Sequence, residues 1–324
     1  MSEAIASKAE RLAAYNANIA AAEKDPSLSP ETGKPLSKMN AARFGAGFLV
    51  FGVLWMSGLG IVSAVLLPMH YKTIPGVNAD ALVGIVNAFT AVASLVANLM
   101  FGNFSDRSRS RFGRRTPWIL FGAVLGGVTL FLTGTTHNAV LLTIFYCACM
   151  FGLNCMIAPM VAILSDRVPS GIRGTMSAFY GAGQIVGQSM GTIIGSAFID
   201  APKTGFMIGT ICWCLCGIGT VLLLPRELSA ATDTTEKFDI KQVAMQFRPP
   251  TKGARDFYLA LIGRLMLIFG YNMIVGYQLY VCMKYIGQDA KAAAATVSTM
   301  AVITMIVSLV VSFVSGPTSD RIGK

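Results

Sequence analysis

From Phe44 onward the sequence is a succession of apolar stretches separated by short polar breaks. Each stretch is close to the ~20 residues that a helix, rising ~1.5 Å per residue, needs to cross ~30 Å of hydrocarbon. Eight such spans are read, at 44–67, 80–101, 117–135, 139–164, 174–199, 205–225, 257–282 and 293–315. Eight apolar helices of near-uniform length would leave a soluble protein too little polar sequence to cover its surface. Only 13% of the residues are charged, against about 25% in soluble domains. Glycine points the same way: most of the 33 glycines lie inside the apolar runs, where in water each would cost ~1 kcal/mol against alanine. In lipid, small residues instead let helices approach closely. The expected fold class is an all-α, polytopic membrane protein.

Four segments are expected: a polar, Ala-rich tail over 1–43, with a short surface helix near residues 4–24; a six-span bundle over 44–225; a polar connection over 226–256; and a second unit over 257–324 that opens with spans 7 and 8. The tail has no apolar run of the kind that marks a cleaved signal peptide. Of the 26 Lys and Arg, 21 fall on the side that holds the N-terminus and four on the opposite side, with Arg264 alone inside a span. The positive-inside rule then makes the N-terminus, the central connection and Lys324 cytoplasmic. The net charge of +10 is thereby explained as topology, and no nucleic-acid partner is expected. Short loops and a compact tail suggest a bacterial plasma (inner) membrane. The seven cysteines all sit in apolar runs. Among them Cys212, Cys214 and Cys216 are two apart on a helix and point ~200° from one another, so no metal is assigned.

The break after span 2 begins Gly102-Asn-Phe-Ser-Asp106-Arg107 and ends Gly113-Arg114-Arg115; the break after span 8 reads Gly316-Pro-Thr-Ser-Asp320-Arg321-Ile-Gly323-Lys324. The same frame at equivalent places implies a six-span unit used twice. This pattern resembles the signature of the major facilitator superfamily, and Ser165-Asp166-Arg167-Val-Pro169 through Arg173-Gly174 resembles that family's turn after span 4. The longer loop, through Pro117-Trp118, is similar to the sucrose and glycoside-pentoside-hexuronide symporters.

The resemblance implies the major facilitator fold: a six-span N-terminal bundle plus the first two spans of the second, with spans 9–12 of a twelve-span protein absent, a truncation at the C-terminal side. It implies a secondary active transporter of a small solute, a sugar or glycoside first, working by alternating access in the lipid bilayer. Alternatives are an exporter of amphiphilic compounds or a non-transporting truncated remnant. No organic cofactor is implied, only a coupling proton or sodium ion. No Asp or Glu lies in the core of any span, so a coupling cation finds no intramembrane carboxylate in these spans. An enzyme would need convergent acid, base or nucleophile at membrane depth, and the two histidines, His70 and His137, lie near span ends.

The resemblance assigns Gly102, Asp106, Arg107, Gly113, Arg114, Arg115, Asp166, Arg167, Arg173, Gly316, Asp320 and Arg321 to a cytoplasmic latch. Asp106, in a turn, would accept from amides at a helix start and pair with guanidinium groups, while Gly102 would permit tight span packing. The plainer reading is that these arginines anchor the loop to anionic lipid. In span 5, Gly183, Gly187, Gly191 and Gly195 lay a groove along one helix face, read either as a sliding contact between halves or as static packing. Gln184 and Gln188 are turned ~100° from it, toward a central cavity. In span 7, Arg264, Tyr271 and Gln278 recur at seven residues and form one polar stripe. A centred arginine costs about 2.5–3.5 kcal/mol, so Arg264 is expected either to face a substrate cavity or to snorkel to the interface. Asn87 in span 2 and Asn154 in span 4 complete the substrate candidates. Asn98, near the cytoplasmic end of span 2, reads rather as an interhelical hydrogen-bonding residue.

Overall fold

A computed structural model of the protein describes the backbone of residues 2–229, 254–275 and 277–322, and the side chains of 13–229, 254–275 and 277–311. Among the described residues the regular elements are helical. The tail folds as α1 (Ser2–Lys24). Next comes α2 (Lys38–Ile61), which passes through a π turn at Val62–Leu66 into α3 (Leu67–Tyr71), the three making one continuous span. There follow α4 (Ala79–Asp106), α5 (Thr116–Thr135), α6 (Ala139–Arg167), α7 (Ser170–Ala197) and α8 (Pro202–Leu223). Beyond the connection stand α9 (Arg255–Val275), α10 (Gln278–Lys284) and α11 (Ala290–Ile322). Starts are fixed by capping side chains: Ser37 accepts from Asn40 N (3.2 Å), Asn78 from Asp80 N (3.0 Å) and Asn138 from Val140 N (3.0 Å).

Helices run past the apolar spans wherever no breaker intervenes, so that Gly102 to Asp106 and Ser165 to Arg167 are the last turns of α4 and α6 rather than free turns. Seven helical segments, among the described residues, are long and apolar enough to cross a membrane. The expected fifth span, α7, is not among them. Its 28 residues are long enough, but glycine, serine and glutamine dilute its apolar content. Span 7, expected as one helix over 257–282, breaks between Val275 and Gln278, with Tyr277 at φ −117° before the second piece. The second signature copy, Gly316, Asp320 and Arg321, falls on the helical backbone of α11, but its side chains lie outside the described residues.

Helix α2 is the axis of the six-helix bundle, packed on α7 and α8; α5 lies on α6 and α8, and α4 on α6. Because lipid is as apolar as the core, close contact rather than water exclusion holds such helices together. The glycine ladder of α7 supplies it: a Cβ at Gly183, Gly187, Gly191 or Gly195 would fall on the backbone of Leu49, Val53, Ser57 or Ile61 in α2. The ladder therefore seats α7 inside the N-terminal bundle, and a sliding contact between halves is not its geometry. Trp213 of α8 fills the space left by Gly58 and donates its indole N–H to the Trp55 carbonyl at 2.9 Å. Outward, α8 presents Met207, Ile211, Leu215, Ile218 and Leu222, all largely exposed along one face. That is the face a lipid-bathed helix shows.

Candidate functional site

Between the six-helix bundle and α9 and α11 lies a cavity of about 910 Å³. Its polar groups come from both sides: Asn87, Thr90 and Ser94 on α4, Tyr146 on α6, Gln184, Gln188 and Ser189 on α7, then Tyr271 and Asn272 on α9 and Thr304 on α11. The π turn adds Ser63. Thr90 spends its hydroxyl on the Val86 carbonyl at 2.8 Å, and Ser189 donates to Ala301 O at 3.0 Å, tying α7 to α11. None of the lining residues among those described is an acid. Such a wall can donate and accept hydrogen bonds with an uncharged polar solute.

Of the substrate candidates, Asn87, Gln184, Gln188 and Tyr271 are brought together here. Asn154 is not: its carbonyl oxygen accepts from the Asn98 amide and its own amide donates to Met150 O at 2.7 Å, so it is consumed in bonding α4 to α6. Arg264 is also absent from the lining. It is exposed on α9, a helix with no buried residue. Gln278 starts α10 after the helix break, so the seven-residue stripe is not one face and Tyr271 alone reaches the cavity. Thr90, Tyr146 and Asn272 were not singled out by sequence. Tyr146 is the one with a signal, a phenol in an otherwise apolar run.

At the end of the bundle that carries the tail, Arg115 is the hub. Its side chain is 6% exposed, pairs with Asp106 and with Asp166 (2.5 Å), and donates to the Ser105 hydroxyl at 2.5 Å. Burial pulls its pKa down, but Asp166 and Asp106 together outweigh that and raise it above the ordinary guanidinium value, so the charge is locked on. Among the described residues Asp106 accepts from no backbone amide at a helix start. That role belongs to Glu227, which follows α8 and was missed in the sequence: its carboxylate accepts from the amides of Arg114 (2.9 Å), Arg115 (3.1 Å) and Thr116 (3.2 Å) at the start of α5. Gly113 makes room for it, with φ +100° and a hydrogen where a Cβ would strike the Glu227 carboxylate.

The other latch candidates divide. Arg167 forms a second knot, bonded to Glu31 (2.7 Å) and to the Pro225 and Arg226 carbonyls (3.0 Å each). Arg173 serves the α6–α7 turn through Ser165 O and Val168 O. Arg114 lies over the Tyr15 ring at 5.1 Å, and Arg107 sits at the C-terminal cap of α4. Nothing among the described residues packs on Gly102, where a Cβ would meet nothing within 4 Å.

At the opposite end α10 and α11 are joined to the six-helix bundle. Lys284 of α10 pairs with Asp80 of α4, Lys291 of α11 pairs with Asp200 at 2.8 Å, and Tyr280 donates to Pro68 O at 2.7 Å with Lys72 5.0 Å from its ring centre. His70 and His137 meet at this end too, ring centres 5.4 Å apart, with His70 Nε2 2.7 Å from the Thr136 carbonyl.

The family model described as Major Facilitator Superfamily matches residues 43–324. Among solved structures, a bacterial homolog of the human lysosomal transporter Spinster, in an inward-facing and unoccupied conformation, superposes with a TM-score of 0.65 at 15% identity, over 88% of this chain and 64% of that one. A D-xylose-proton symporter superposes with a TM-score of 0.56 at 14% identity, over 85% of this chain and 69% of that one. The protein thus spans less than two thirds of the Spinster homolog, and at these identities the likeness is one of fold. No curated protein matches it in sequence.

Proposed function

The chain belongs to the Major Facilitator Superfamily, and from that membership we propose that it serves secondary active transport of a small polar solute, a sugar or glycoside, through the cavity between its two units. The observation that carries this reading is the convergence of amide and hydroxyl groups from α4, α6, α7, α9 and α11 on one space with no acid among its described lining residues. Sugar hydroxyls are bound by groups that both donate and accept, as Asn and Gln side chains do, and an aromatic ring such as Tyr271 offers a face to a pyranose. A similar fold serves a D-xylose-proton symporter, which is in keeping with a sugar, as is the loop's similarity to the glycoside symporters.

With the tail side cytoplasmic by the positive-inside rule and the membrane a plasma membrane, the contacts of Lys284, Lys291 and Tyr280 close the outer end. Alternating access then exchanges this outer closure for an inner one built around Arg115. A coupling proton or sodium ion would need an acceptor other than the described cavity lining. The apolar part of the wall, including Met56, Leu59 and Met305, favours an amphiphile exporter as the second reading.

Uptake of labelled monosaccharides and glycosides into proteoliposomes tests the proposal. Gln184→Ala and Asn87→Ala each delete one hydrogen-bonding group to an uncharged solute, about 0.5–1.5 kcal/mol, so each lowers uptake about two- to tenfold with the protein still folded. Undiminished uptake in the double variant would remove the cavity from the path. Efflux of an amphiphilic dye with no sugar uptake would transfer the site to the second reading.

A further inference from the structure

A second cavity, of about 340 Å³, opens at the tail-side end of the bundle, between the starts of α2 and α5 and the end of α8. Three guanidinium groups line it, those of Arg43, Arg167 and Arg226, against one carboxylate, Glu227, already engaged by the amides that begin α5. Arg167 is 5% exposed. It spends Nε on Glu31 and one terminal nitrogen on the Pro225 and Arg226 carbonyls, and its Nη1 has no partner among the described residues. Arg43 spends Nε on Leu223 O (2.9 Å) and Nη2 on Leu222 O and Leu224 O, and likewise leaves Nη1 without a partner among the described residues. Three arginines stand at the cavity while its one carboxylate is already engaged, so the lining is cationic and suits something that brings anionic oxygens.

The rest of the wall says what carries them. Leu222, 72% exposed, belongs to this cavity and also ends the outward apolar row of α8. The pocket is therefore a cationic socket at the head of a lipid-facing stripe, on the side where basic residues gather. We propose that it binds the phosphate of an anionic phospholipid headgroup in the cytoplasmic leaflet, with an acyl tail lying along α8. Guanidinium forks match phosphate oxygens in pairs, and the apolar row supplies what a free anion would not use. The site holds together Arg43 of α2, Arg167 of α6 and the segment leaving α8, so an occupied headgroup staples three helices beside the Glu227 cap. The proposal rests on the membrane setting and is independent of the solute.

Purified protein is incubated with mixed micelles holding equal parts phosphatidylglycerol and phosphatidylcholine, and retained lipid is counted by native mass spectrometry. Phosphatidylglycerol is expected to be enriched on the wild-type protein. Arg226→Gln, at an exposed position, lowers that enrichment about fivefold, as one arginine near an anionic surface contributes. Arg43→Gln, kept only if it elutes as one symmetrical peak, lowers it similarly. Arg109→Gln, in the arginine-rich loop but outside the cavity, leaves it unchanged. Equal loss in Arg109→Gln, or no loss in Arg226→Gln, would mean diffuse lipid anchoring and overturn the site. Equal thermal stabilisation by inorganic phosphate alone would make it a free-anion site and overturn the lipid assignment.

Discussion

Arg115→Gln is expected to lower the stability of the protein by about 2–3 kcal/mol, which a melting curve followed by size-exclusion chromatography reads directly. Removing one partner of a fully buried ion pair costs about 3–5 kcal/mol because the other charge is stranded. Here the guanidinium is buried while the carboxylates of Asp106 and Asp166 are 58% and 35% exposed in their side chains, so water recovers part of the loss. What water does not recover is the geometry: one planar fork serves two carboxylates and the Ser105 hydroxyl at once. Arg115→Lys, with a single ammonium, therefore restores only part of the midpoint. Asp106→Asn, at an exposed acid whose removal leaves the Asp166 pair intact, costs less than about 1 kcal/mol. A wild-type melting curve for Arg115→Gln would mean that the cluster holds nothing.

Gly187→Leu is expected to yield no folded, monodisperse protein. Ordinary overpacking costs about 1–3 kcal/mol because side chains can move aside. At Gly187 the obstacle is the Val53 backbone itself, its carbonyl oxygen, carbonyl carbon and Cα, so α2 and α7 would have to separate along their length. Gly181, on the same helix but off the ladder, has nothing among the described residues within 4 Å of a built Cβ. Gly181→Ala is expected to fold as wild type, removing a helix-weakening glycine at no steric cost. Fluorescence-detected size exclusion of the two variants side by side is sufficient. A normal Gly187→Leu peak would contradict the α2–α7 contact on which the bundle is built.

The spans were legible because membrane crossing is written in run length, and a run of about twenty apolar residues has few other meanings. Residues whose meaning lies in three dimensions read less well. The polar stripe of Arg264, Tyr271 and Gln278 assumes one continuous helix, and the break after Val275 dissolves it. Asn154 and Gln184 look alike in sequence, each an amide in an apolar run. Only the position of Asn98 opposite the first makes one a structural bond and leaves the other a cavity wall. Glu227 lies more than a hundred residues from the amides it caps, so no local pattern points to it. The glycine ladder was plain, but its partner was not: a groove shows that a backbone comes close without saying whose.

The central claim is that a solute occupies the space between α4, α7 and α9. It is tested most directly by the rate at which a membrane-impermeant maleimide modifies Gln184→Cys, above the background of the protein's own cysteines, with and without sugars present. Gln184→Cys should react while Phe121→Cys, on the exposed apolar face of α5, stays inert, and the sugar that is transported should slow the reaction severalfold. A Gln184→Cys that is as inert as Phe121→Cys, or that reacts at one rate whatever sugar is added, would contradict the account.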